Sequence, residues 1–133
     1  MKADLYAGNS TQMSRTVTEE TVIEMARISG DHNPIHLDET YAKTTRFHGR
    51  IAHGLFCISM ISAIMGNELP GPGTIIVSEK FDFKRPAYIG DEITASVTIE
   101  QLQGKHAILS FICKNQCNED ILTGSADVVI DSI

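Results

Sequence analysis

The stretch from His53 to about Asn67 is apolar around its whole circumference, and Pro70-Gly71-Pro72-Gly73 ends it abruptly. The length and composition predict a helix. A helix with no polar face must be covered on most sides, so the rest of the chain has to be built around it. The C-terminal half of the chain is suited to that task. Ile93, Ala95, Val97 and Ile99 alternate strictly with Thr94, Ser96, Thr98 and Glu100. Ala107, Leu109, Phe111 and Cys113 form a second alternating set, and Ile121 to Ile130 a further strand. Ile75, Val77, Phe81 and Phe83 also share a face, with Glu79 the exception. Period-two alternation is the mark of half-buried strands. A buried helix followed by an antiparallel sheet defines an α+β domain.

The chain has 133 residues, enough for one core and one domain. Before the buried helix, Met13 to Val17 reads as a short strand, and residues 1–10 as a polar, loose edge. Thr18 is a natural N-cap, Glu19 and Glu20 suit a first turn, and Gly30 a stop, so a helix is expected over about 19–29. Residues 30–50 form an irregular excursion, with a short helix over Glu39–Thr44. Twenty irregular residues within a compact domain point to function.

That excursion opens with Ser29-Gly30-Asp31-His32-Asn33-Pro34-Ile35-His36. Asp31 and His36 are five residues apart, ~500° of rotation on an unbroken helix, which would separate them. Gly30 and Pro34 make such a helix unfavourable, whereas a turn around Asn33-Pro34 can direct both side chains to one point. An acid/base pair aimed at one water moves protons. Without further information, Asp31 could equally cap the turn and His36 could be a satisfied core histidine.

The run Ile28 to His36, then five residues and then Ala42, resembles the hydratase motif of the MaoC-like family, which includes the (R)-specific enoyl-CoA hydratases. Ile51-Ala52-His53-Gly54-Leu55 is similar to the start of that family's central helix, and Phe83-Lys84-Arg85-Pro86 with Gly90-Asp91 to its later strand-turn. The likeness covers about residues 12–130 of a single domain spanning 1–133. It implies the hot-dog fold, a sheet wrapped around a central helix, in a homodimer. It also implies a hydro-lyase that adds water reversibly to a trans-2-enoyl thioester. Arg50-Ile51 lacks the proline that many relatives carry there, which bears on loop stiffness alone.

On this resemblance Asp31 is the main base toward water and His36 holds the water and assists. The Gly54 amide, at a helix start, would stabilise the thioester oxygen. Asn33 bonds its own turn and can hold Asp31 or the ligand, while His53 can orient the loop or cap the helix. Ser62 corresponds to a small polar position near the acyl pocket. Lys84 and Arg85, with Arg46 and Arg50, are candidates for phosphates of coenzyme A or carrier-linked pantetheine. The chemistry needs no cofactor beyond the acyl carrier, on coenzyme A or on a carrier protein. A hot-dog thioesterase and a non-catalytic acyl-thioester binding module are the competing readings.

The formal charge of −6 with no basic stripe disfavours nucleic acid and anionic membranes. The longest apolar run, Ile51 to Met65, is too short to span a bilayer, and the N-terminus lacks a signal-like apolar run. Three cysteines suit reduced thiols, and Cys113 and Cys117 lack the second pair a zinc site needs. The reading is a cytoplasmic protein with no metal site.

Overall fold

The computed structural model describes residues 4–131; the outermost part of the expected loose N-terminal edge, residues 1–3, lies outside them. Strand β1 (Ser10–Thr16) leads into helix α1 (Glu19–Ser29). Thr18 caps α1 by accepting from the Thr21 amide at 3.1 Å, and Gly30 ends it in the left-handed conformation at φ 77°. The motif excursion then holds two short helices, α2 (Pro34–Leu37) and α3 (Glu39–Lys43). Next come the central helix α4 (Gly54–Asn67) and the strands β2 (Thr74–Phe83), β3 (Glu92–Gln103), β4 (His106–Lys114) and β5 (Asp120–Ile130).

The five strands form one antiparallel sheet in the order β1-β3-β4-β5-β2. Helix α4 packs Phe56, Cys57, Met60, Ile61, Ile64 and Met65 against it. These positions recur every three to four residues, so they occupy one side of the helix. The sheet answers with the sets expected from alternation, Ile93, Ala95, Val97 and Ile99 on β3 and Ala107, Leu109, Phe111 and Cys113 on β4, all buried. This is the hot-dog arrangement. The far side of α4 is a different matter. Leu55 is 41% exposed, and Ser62 and Gly66 are exposed, so one chain covers only half of this apolar helix.

Strand β2 departs from simple alternation. Its pairing with β5 shifts between Ile76↔Val128 and Ser78↔Asp127, leaving Val77 as an extra residue. Beyond the bulge the faces swap, so that Glu79, Phe81 and Phe83 pair with Ala126, Gly124 and Leu122. Ile75 therefore does not share a face with Phe81 and Phe83, contrary to the expectation from a regular strand. Because β2 is an edge strand, Ile75, Val77 and Phe83 stay exposed at 51%, 63% and 59%.

Candidate active site

Local hydrogen bonds shape the motif loop residue by residue. The Asn33 amide donates to Asp31 Oδ1 at 3.1 Å, and the Ile35 amide to Asn33 Oδ1 at 3.1 Å. Two such side-chain turns in succession fold the chain tightly. Pro34 then starts α2 at a position where its missing N–H costs nothing. The result turns His36 inward, buried, while Asp31 keeps its side chain 48% exposed.

Two anchors hold His36 from the segment leading to α4. Its Nδ1 lies 2.7 Å from the Ile51 carbonyl oxygen, which can only accept, so Nδ1 carries the hydrogen. The Ile51 amide in turn donates to the Ile35 carbonyl at 3.2 Å. Burial pushes the His36 pKa below its ordinary value; the Ile51 bond opposes this, the neighbouring His53 ring adds to it, and Asp31 opposes it. His36 is thus a neutral imidazole whose Nε2 offers a lone pair. That lone pair faces Asp31 Oδ2 across 3.9 Å.

Two acceptors facing each other need a donor between them. Two hydrogen bonds of about 2.8 Å from one water set their acceptors about 4.4 Å apart at the water's own angle. The observed 3.9 Å is close to this, whereas it is too long for a direct bond. The spacing therefore suits a single water that donates one hydrogen to each acceptor and keeps an oxygen lone pair for attack.

His53, the N-cap of α4, makes no side-chain cap bond. Instead its Nε2 lies 2.9 Å from the Asp31 carbonyl oxygen, and its ring stacks on His36 with centroids 3.9 Å apart and planes 26° apart. Asp31, His36 and His53 bring ligand-type atoms within 4.8 Å of one another. However, ring nitrogens hold their lone pairs in the ring plane. Nearly parallel stacked rings cannot aim them at one ion, so the trio as it stands is not arranged to chelate a metal.

Gly54 begins α4 beside the pair. The first amides of a helix have no intrahelical acceptor and carry the positive end of its dipole. A Cβ on Gly54 would lie 2.7 Å from Phe83 Cε1, so a side chain here must displace that ring. His36, His53 and Gly54 share a cavity of about 280 Å³. Its walls include Phe47, Cys57 and Phe83, and its rim carries Arg46, Lys84 and Arg85.

The structure thus gathers His36, His53, Gly54, Lys84 and Arg85 around one cavity, with Asp31 facing His36 at its edge. Asn33 is committed to its turn. Arg50 is turned inward, with Nε on the His36 carbonyl oxygen at 2.7 Å and Nη1 on Glu19 at 2.7 Å, and so braces the loop. Arg85 is shared with the Asp120 carbonyl oxygen at 3.0 Å and Glu119 at 3.6 Å. Ser62 does not line the cavity; it lies on the uncovered side of α4. The Ile51 carbonyl, Cys57 and Phe83 escaped sequence reasoning. Only Phe83 had a visible signal, its place beside Lys84-Arg85-Pro86.

Known proteins share this architecture. Residues 6–119 match the family described as MaoC-like domain. The chain is 38% identical over 130 residues to the (R)-specific enoyl-CoA hydratase of Rhodospirillum rubrum, covering 96% of this chain and 89% of that one. It is 37% identical to the 3-hydroxybutyryl-CoA dehydratase of Methylorubrum extorquens, over 96% of this chain and 82% of that one. The solved (R)-hydratase from A. caviae involved in PHA biosynthesis superposes with a TM-score of 0.92 at 34% identity, covering 96% of this chain and 98% of that one.

Proposed function

This chain belongs to the MaoC-like family, and from that premise we propose that it catalyses the reversible (R)-specific hydration of trans-2-enoyl thioesters, as a hydro-lyase. The observation that carries the reading is the pair of acceptors, Asp31 Oδ2 and His36 Nε2, facing each other across 3.9 Å. Water held there donates one hydrogen to each. Its oxygen attacks Cβ of the enoyl group, and the π electrons shift toward the thioester carbonyl. The Gly54 amide receives the growing negative charge, a contribution of ~3 kcal/mol for an oxyanion donor. Asp31 takes the proton with His36 steadying the water, and the pair then returns that proton to Cα, which completes the 3-hydroxyacyl thioester and restores Asp31 to its carboxylate. Dehydration is the same path reversed. Protons and a bound thioester suffice, so no further cofactor is assigned.

Lys84 and Arg46, without an ion pair among the described residues, supply cationic groups at the cavity rim for phosphates of coenzyme A or of a carrier-bound pantetheine. The Arg46 guanidinium lies 4.9 Å from the Phe47 ring centroid, which orients it without neutralising it.

The working unit is a homodimer. Support comes from the open edge of β2, with Ile75, Val77 and Phe83 exposed, and from the uncovered side of α4 around Leu55 and Ser62. A second copy would cover both and bring Ser62 into an enclosed setting. Cys57, Cys113 and Cys117 are free, which suits a reducing cytoplasm. No helix among the described residues is long and apolar enough to cross a membrane.

The test is to add purified protein to crotonyl-CoA and record two signals, ultraviolet absorbance of the conjugated thioester and free thiol. Loss of conjugation without thiol release is expected, with (R)-3-hydroxybutyryl-CoA as the product. Thiol release from a saturated acyl-CoA would instead identify a thioesterase. Binding without either signal, repeated with longer and carrier-bound substrates, would identify a binding module.

A further inference from the structure

The proposed reaction leaves the buried His53 unused, although it adjoins every catalytic part. His53 is 3% exposed and stands immediately before Gly54. Its Nε2 meets the Asp31 carbonyl oxygen at 2.9 Å, and a carbonyl only accepts, so Nε2 carries the hydrogen. Its face lies on His36 at 3.9 Å. Its other nitrogen, Nδ1, is buried without a hydrogen-bond partner among the described residues. The ring is therefore held through one N–H and one face, and both contacts end on the proton-transferring pair.

The pair and the oxyanion donor belong to different segments. Asp31 and His36 lie in the excursion after α1, and Gly54 begins α4. Their relative position decides whether the water oxygen reaches Cβ while the thioester oxygen reaches the amide. Misplacement of about 1 Å in such an arrangement can cost 10²-fold in rate. We propose that His53 is the positioning residue that fixes this distance, tying the Asp31 backbone and the His36 ring to the first turn of α4. A cap residue with no side-chain bond to its own helix is otherwise unexplained.

The stack has a chemical consequence as well. The groups facing His36 are the Asp31 carboxylate, the His53 ring and the Ile51 carbonyl; Arg50, on the His36 carbonyl oxygen, is paired with Glu19. Of the two side chains, Asp31 favours a protonated His36 and His53 disfavours it. Removing His53 should therefore raise the pH at which His36 takes its proton.

The role of His53 rests on the hydratase reading for its rate effects but not for its titration effect, and two variants separate the contacts. His53→Phe keeps a face for His36 and loses the N–H. His53→Gln places an amide N–H near the former Nε2 and loses the stack. Imidazole titration by nuclear magnetic resonance and steady-state kinetics on crotonyl-CoA are measured on wild type and both variants. Expected are a higher His36 midpoint in both variants and a kcat about tenfold or more lower in His53→Phe, with KM little changed. Part of that kcat should return in His53→Gln. An unmoved His36 midpoint in folded variants overturns the proposal, as does a kcat loss that only tracks the loss of folded protein. If wild type does not hydrate the substrate, the proposed function fails, and the titration alone still decides what His53 does.

Discussion

At the scale of residues, the site depends on which protons are already committed. The Ile51 carbonyl claims the Nδ1 hydrogen of His36, so Nε2 must accept. Activity should then require the unprotonated ring. Because burial lowers the His36 pKa, the acid limb of kcat/KM should fall below the ordinary histidine value of 6.5, with activity lost as pH drops through the lowered value. A limb above 6.5 in a pH–rate profile would contradict this assignment. At Gly54, substitution by Val must push aside the exposed Phe83 ring, not a backbone wall. Turnover should fall about 10²-fold while the melting temperature changes little. Equal damage to both would make Gly54 a packing residue. The pairing of Asp31 with His36 was legible in the sequence because Gly30, Asn33 and Pro34 are local turn formers, and local rules govern them. The inward turn of Arg50 was not, because its partner Glu19 lies 31 residues away.

At the scale of elements, α1, α4 and the strands β3, β4 and β5 follow from caps, breakers and alternation that can be counted along the chain. The β2 bulge does not, since a period-two pattern gives no sign of an inserted residue until its partner strand is known. Gly124 shows how partner strands set such demands. It pairs with Phe111 on one side and Phe81 on the other, and those rings meet above it at 5.4 Å between centroids. A Cβ there would lie 2.0 Å from the Lys80 carbonyl oxygen, which is backbone and cannot rotate away. Gly124→Ala should therefore destabilise the fold by about 1–3 kcal/mol in denaturant unfolding. A neutral result would mean that β2 adjusts freely.

At the scale of the whole molecule, one chain leaves its defining feature half solved. A helix apolar on all sides demanded cover on all sides, and the sheet reaches only one. The proposed second copy resolves that demand and the open β2 edge together. Light scattering should give twice the 14.6 kDa chain mass, and Val77→Lys on the edge should shift the mass toward one chain. A wild-type mass of a single chain would refute the dimer and leave Ser62 on an open surface. The decisive experiment for the proton-transferring pair is the rate of crotonyl-CoA hydration by wild type and Asp31→Asn, with circular dichroism to verify that both are folded. The amide preserves shape but removes the base, so hydration should fall ~10²-fold or more. A folded Asp31→Asn protein that hydrates at the wild-type rate would contradict the role of Asp31 as the base and, with it, the proton-transferring pair.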